Sequence, residues 1–398
     1  MLLAITLIVD CAYAWGPGYT RVNAAAETAE TAYTNPAGMT RFDEKTTSLG
    51  AVLFHSFKEF EVDESLTTVD GGNPDSGDPV LIPAYYHIRP LGDNWRFGFS
   101  ANLSGGFGDS SGSTWAGRYY SDEFTLAFVS LTPSLAYPVS EKLSLGVSVP
   151  VTMSHSVTTS RINSPVPDAP DGKLEVESTE FSPSLALSSL YEFSEKTRAA
   201  LIYRAETDFD SDPDVSIKRY SLPADVIDQI ERVIDSIEYN SIQPQSVSLG
   251  LLHEFQNRWQ ISVDAVWIDF SEFGVTEISI VGQDVVIPDS NYNDIYGVSV
   301  GAQLPVKGDT AWRFGAFYLS SAVDDEDRSF SIALDRVYGF GVGMQKELGS
   351  GNSYNLNINL MDTGSGPIDT GDDPIRGRVA GESKNHYAIA LDFSFHWR

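Results

Sequence analysis

The stretch that closes the chain constrains the fold more than any other. Tyr387, Ile389, Leu391, Phe393, Phe395 and Trp397 occupy every second position, and Ala388, Ala390, Asp392, Ser394 and His396 fall between them. A β-strand points successive side chains to opposite faces. This stretch therefore has one apolar and aromatic face and one small, polar face. A strand of a closed membrane barrel has that character, apolar outward to lipid and polar inward to the lumen. No stretch approaches the roughly 20 apolar residues that a membrane helix requires. A barrel needs none, because it satisfies its backbone between strands and hides its apolar residues in alternation.

The same period recurs along most of the 398 residues. Trp95, Phe97, Phe99, Ala101 and Leu103 alternate with Arg96, Gly98, Ser100, Asn102 and Ser104. Tyr354, Leu356, Ile358 and Leu360 alternate with Asn355, Asn357 and Asn359. Asn is a poor strand former, so three on one face point to a wet lumen. Scored this way, the sequence predicts an all-β transmembrane barrel of about fourteen antiparallel strands. They fall near residues 46–57, 79–90, 94–105, 123–137, 141–155, 179–193, 196–206, 245–256, 259–270, 292–304, 310–320, 335–347, 352–361 and 384–397. Short connections such as Pro90–Asn94 and Leu348–Asn352 alternate with long ones, as periplasmic turns alternate with extracellular loops. Trp95, Trp259, Trp312 and Trp397 stand near strand ends, where aromatic belts meet the membrane interfaces.

Charge narrows the function. Lys plus Arg total 26 against 55 for Asp plus Glu, a net −29, which speaks against a nucleic-acid partner. The acids cluster between strand-like segments, in long loops. Asp208, Asp210, Asp212 and Asp214 supply hard oxygens that could hold Ca²⁺, but without the Gly and closing Glu of a known calcium loop. A solvated, self-repelling loop is the favoured reading, with no metal and no cofactor. Ser154-His155-Ser156 is the one tempting nucleophile–base pair. Neighbours in a strand point to opposite faces, so no enzyme is expected.

Three segments do not read as barrel wall. Residues 1–14 resemble a secretory signal peptide: Leu2–Val9 is apolar and Ala12-Tyr13-Ala14 is an A-x-A-like cleavage site. The run lacks a preceding Lys or Arg and ends on Asp10, as a truncated leader would. Cys11, the sole cysteine, is expected to leave with it. Residues 15–44 are Ala-rich, helical in flavour near Ala24–Ala32 and broken at Asn35-Pro36; such a segment can plug a lumen. Over 222–239, Leu222, Val226, Ile230, Val233, Ile234 and Ile237 recur at helical spacing opposite Asp225, Asp228, Glu231 and Asp235. This predicts an amphipathic loop helix forming one wall of a greasy groove at the channel mouth.

These features, in this order, resemble the FadL family of long-chain fatty acid and hydrocarbon transporters, also called the toluene-X family. Thr34-Asn35-Pro36-Ala37-Gly38-Met39 is similar to the family's NPA hatch motif. Trp115-Ala116-Gly117-Arg118-Tyr119-Tyr120 and Pro133-Ser134-Leu135-Ala136-Tyr137 resemble its W-x-G-R-Y and NPSLAY-like segments. Leu222-Pro223 and Trp267-Ile268-Asp269-Phe270-Ser271-Glu272-Phe273 resemble its LP and W-x-x-W-S-x-F stretches, with Phe270 where a second Trp is usual.

The resemblance implies a fourteen-stranded barrel of 45–398, plugged by a hatch at 15–44 and gated by Asn35, Pro36, Ala37 and Gly38. It implies passive uptake of a hydrophobic small molecule across an outer membrane of lipid and lipopolysaccharide, by a monomer. The ligand would be caught in an outer groove formed by the loop helix and Trp115. It would leave sideways through the wall at a kink in the third strand, where Gly105, Gly106 and Gly108 stand. A carboxylate head would want a cation; Arg118, Arg96, Arg198 and Arg204 are the candidates. A monoaromatic hydrocarbon would need none. A non-specific porin or structural barrel remains the alternative outside the family.

Overall fold

The computed structural model describes residues 20–75, 77–164, 169–218, 227, 237–280, 283–285, 291–306, 308–330 and 335–398. The predicted leader, residues 15–19, and Leu222, Val226, Ile230, Val233 and Ile234 of the predicted loop helix lie outside them. Ile227 is helical, but Ile237 is not. The helical prediction fails at Ile237, which opens a strand running to Gln243. There antiparallel pairing with 274–280 overrides the local helical spacing.

The wall is a closed antiparallel barrel of fourteen staves. The first four are β1 (Thr46–Val62), β2 (Val80–Leu91), β3 (Trp95–Ser110) and β4 (Glu123–Pro138). The fifth is split into β5 (Leu143–Ser148) and β6 (Val151–Ile162) around Pro150, which has no N–H for the ladder. The sixth is split into β7 (Gly172–Pro183) and β8 (Ala186–Ser194). β9 (Thr197–Arg204) continues as β10 (Thr207–Ser211), and β11 (Asp214–Lys218) folds back onto β7. β12 (Ile237–Gln243) leads into β13 (Ser246–Glu254), and β14 (Gln260–Ile268) continues as β15 (Gly274–Ile280) and β16 (Gln283–Val285). β17 (Ile295–Val306), β18 (Thr310–Leu319), β19 (Val337–Leu348), β20 (Asn352–Asp362), with its extension β21 (Gly366–Asp369), and β22 (Ala380–Trp397) complete the circuit. Closure is by β22 on β1, in register from Thr47↔Trp397 to Phe57↔Tyr387.

The two faces are inverted relative to a soluble protein. On β20, Leu356, Ile358 and Leu360 are 48%, 49% and 41% exposed, whereas Asn355, Asn357 and Asn359 are 2%, 1% and 0%. Nothing but lipid stabilises an outward Leu ladder on a closed barrel. The exposed Trp95, Trp259 and Trp312 lie at the rim of the short turns.

The inner face is not polar throughout, as alternation alone predicts. Toward the short turns it carries Ser48, Gln260, Gln303, Arg313, Ser394 and His396; toward the long loops it carries Phe54, Ile268, Ile295, Phe317, Leu319 and Met361, all buried. The outer half of the lumen is thus an apolar core. It also holds Phe209 of β10, whose ring stacks on Phe128 at 5.6 Å. The alternation at Asp208 and Asp210 is strand periodicity: Phe209 points in while both carboxylates point to solvent. Asp212 and Asp214 are exposed beside them. The expected acidic loop is therefore partly strand, and no described cluster of acids or histidines has metal-binding geometry.

Candidate functional site

Residues 20–42 lie inside the barrel, at the boundary between its two halves. A short helical turn, Thr31–Thr34, stops at Asn35, whose φ of −152° and ψ of 83° lie outside the helical region. Pro36 imposes this, because the residue before a proline is driven out of the helical region. Pro36 then opens a 3₁₀ turn, Pro36–Arg41, at the position where a missing N–H costs nothing. Asn35, Pro36, Ala37 and Gly38 are all buried. The Asn35 Nδ2 donates to the Asn23 carbonyl at 2.8 Å, and its Oδ1 has no partner among the described residues. The Ala37 N–H donates to Ser188 Oγ of β8 at 2.9 Å.

Glycines of the wall make room for this segment. A Cβ on Gly146 would fall on the Ala37 nitrogen and 2.6 Å from the Pro36 carbonyl carbon. Gly98 leaves space for Met39 and Ala32, Gly250 for Asn23, and Gly301 for Thr20. These seats went unread in the sequence, where an isolated strand glycine signals only some close approach.

Charge holds the segment as well. Glu27 lies 2.6 Å from Arg21, 3.5 Å from Arg198 and 3.9 Å from Arg313. Burial works against its charge, but the three guanidiniums outweigh it and hold its carboxyl at about 2. Of the arginines singled out as carboxylate partners, three bind segment backbone. Arg198 donates to the Ala24 and Ala25 carbonyls at 2.5 Å each. Arg96 donates to the Phe42 carbonyl at 2.5 Å and pairs with Asp43 at 3.1 Å. Arg204 donates to the Tyr33 and Thr34 carbonyls at 3.0 and 3.4 Å and covers the Tyr33 ring. Arg118 stands apart in the outer loops, paired with Asp171 at 2.9 Å. Trp115 is also there, fully buried against Phe60 and Phe330 and donating to the Ser121 carbonyl at 2.8 Å, rather than lining an open groove. Glu27, Arg313 and Asp264 are the partners that the sequence reading missed. A lone acid or Arg on a polar strand face carries no signal of what it will meet.

The wall has a gap. β2 and β3 pair only from Leu91↔Trp95 to Tyr85↔Ala101. Above that, Val80–Ala84 of β2 pairs with β1 alone, and β3 stays with β4. The departure coincides with a bulge between Leu103 and Gly105, which turns Leu103 into the apolar core. Gly106 holds a φ of +144°, and a Cβ there would strike the Leu126 backbone. Gly105 stands at the bulge itself, and Gly108 pairs with Thr125 two residues beyond Gly106. Val80, Ala84 and Leu103, at the gap, belong to the same apolar core as Phe270, Phe317 and the segment's Tyr33 and Met39. Beneath the segment lies a different space, a polar cavity of about 700 Å³ lined by Glu27, Arg41, Gln260, Gln303, Gln345 and Arg398, among others.

His155 bonds Thr179 Oγ1 across strands at 2.9 Å, and Ser154 faces the other way; nothing there is arranged for nucleophilic attack.

Known proteins share this architecture. The chain is 22% identical over 421 residues, 95% of its length and 88% of the other, to a long-chain fatty acid transport protein of Escherichia coli O6:H1. It is 20% identical over 395 residues, 84% and 82%, to outer membrane protein P1 of Haemophilus influenzae. Among solved structures, a Pseudomonas aeruginosa FadL homologue superposes with a TM-score of 0.81 at 17% identity, covering 100% of this chain and 99% of the other. The Pseudomonas putida toluene transporter TodX superposes at 0.64 with 16% identity, covering 93% and 94%. The sequence pattern of the outer membrane protein transport protein family (OMPP1/FadL/TodX) matches residues 5–392. The chain belongs to that family, as an outer-membrane transport barrel rather than an enzyme.

Proposed function

We propose that the protein takes up long-chain fatty acids passively, with residues 20–42 as a movable hatch and the β2–β3 gap as the way out. The observation that carries this reading is where the apolar core leads. It reaches the gap at Val80, Ala84 and Leu103, whereas the cavity beneath is lined chiefly by polar and charged side chains and meets that core at Phe42. A hydrocarbon chain in the outer lumen meets greasy side chains toward the wall and charged ones toward the periplasm. Each CH₂ transferred to that polar space would forfeit about 0.8 kcal/mol. Sideways release into the bilayer avoids the cost.

Arg204, a cation at the edge of the apolar core, favours a fatty acid with a carboxylate head over an uncharged hydrocarbon as cargo. Arg204 borders the small cavity where the apolar core touches the hatch, and its known bonds are to two hatch carbonyls. A carboxylate there would compete with those carbonyls for the guanidinium and so loosen the turn leading to Asn35-Pro36. The test is growth of a strain lacking its own fatty acid transporter on oleate, with this gene supplied, alongside growth on toluene. Growth on oleate that is lost in Arg204→Ala is the expected result. Rescue on toluene alone would overturn the fatty acid assignment.

A further inference from the structure

Asp264 is a buried carboxylate on the inner face of β14, and it faces the hatch. Its Oδ2 accepts the backbone N–H of Arg21 at 3.2 Å, and its Oδ1 accepts that of Asn23 at 3.3 Å. Both oxygens are thereby committed to hatch main chain. Asn23 is fixed again by its own Nδ2, which donates to the Leu249 carbonyl of β13 at 3.4 Å. Its carbonyl accepts from Asn35 Nδ2. Gly250, opposite Asp264 in the ladder, supplies the space: a Cβ there would lie 2.6 Å from Asn23 Cβ and 2.8 Å from Asp264 Oδ1. A wall carboxylate, the first hatch residues and Asn35 thus form one hydrogen-bonded chain.

That chain closes the cavity where the apolar core ends. Tyr33, Phe317 and Leu319 form its apolar side, and Asn23, Asp264 and Arg204 its polar side. From this geometry we propose that Asp264 is a positioning residue, the wall latch that keeps the hatch shut until a ligand reaches this cavity. An amphipathic ligand entering from the apolar side would meet Asn23 at the latch. Displacing it breaks the hold on residues 21–23 and, through the Asn23 carbonyl, frees Asn35. Buried main-chain N–H groups strongly require an acceptor, so the carboxylate is replaceable only by a group that presents two acceptor atoms.

This inference rests on reading residues 20–42 as a hatch, and its test keeps the two separate. Thr20→Cys, placed under Gly301, reports hatch opening by its labelling rate with a bulky, membrane-impermeant maleimide applied to the purified barrel. Asp264→Asn preserves shape but leaves one oxygen for two N–H groups. Labelling at least about tenfold faster than with Asp264 intact, with heat-modifiable migration unchanged, is expected. Equal rates in a folded barrel would overturn the latch. Where Asp264→Asn fails to assemble, Gly250→Ala displaces Asn23 from the facing strand and should accelerate labelling likewise; no acceleration would again overturn it. Oleate uptake measured in parallel reports on the transport reading alone. Faster labelling with unchanged uptake upholds the latch and contradicts hatch motion as the gate.

Discussion

The Asn35 side chain reaches back twelve residues to the Asn23 carbonyl, 2.8 Å away and fully inside the barrel. This bond ties the break before Pro36 to the first residues of the segment. In Asn35→Ala the carbonyl loses its donor and the turn its anchor, at a cost of about 1 kcal/mol. The wall does not depend on that bond, so assembly and thermal midpoint should hold. Initial rates of radiolabelled oleate uptake in whole cells should fall several-fold; an unchanged rate would argue that the turn plays no part in passage.

Gly146 predicts an opposite phenotype. In Gly146→Val a branched side chain must occupy the position of the Ala37 nitrogen. The barrel has no slack on that face, because Gly146 is paired on both sides, with Ala136 and Ser188. The segment must therefore be displaced. In planar bilayers the intact protein should show little ionic current, and the variant frequent open events. Equal, low conductance would show that the hatch does not sit where Gly146 leaves room.

Glu27 makes the hold on the segment pH-dependent with a defined sign. Its folded value of about 2 is below the ordinary glutamate value of 4.5, a difference worth about 3 kcal/mol. A depressed carboxylate stabilises fully above its unfolded value, and the contribution is lost as pH falls toward the folded value. Hatch protection against labelling at Thr20→Cys should therefore be level from neutrality to about pH 5 and decline between about 4.5 and 2. In Glu27→Gln that decline should vanish, with protection weaker than the intact protein's above about pH 4.5 and converging with it near pH 2. A wild-type profile in the variant would exclude this ion cluster from the hold.

The wall was legible because lipid and lumen impose a strict period of two, as between Leu356 and Asn357. Polarity of the lumen was legible only where the inward residue is polar. Along Phe314–Leu319 both faces are apolar, and alternation cannot tell an apolar lumen from a lipid face. The greasy outer core was therefore missed. Asn35-Pro36 marked the break in the inner segment through local chemistry. Its seats did not show, since Gly146, Gly250 and Gly301 acquire meaning only once the barrel closes around residues 20–42. Arg96, Arg198 and Arg204 meet main-chain carbonyls of the inner segment, partners to which sequence gives no index. Ile237 shows the reverse failure, a helical spacing overruled by pairing with a strand some forty residues away.

The central claim is that cargo leaves through the wall between β2 and β3. Ala84 and Asn102 are the first positions beyond the last paired residues, Tyr85 and Ala101, so a disulfide between cysteines placed there would staple the gap. Oleate uptake by Ala84→Cys/Asn102→Cys, measured oxidised and again after reduction, tests the claim most directly. The account predicts at least about a tenfold loss on oxidation and full recovery on reduction. Undiminished uptake with the disulfide shown by mass spectrometry to be complete would contradict it.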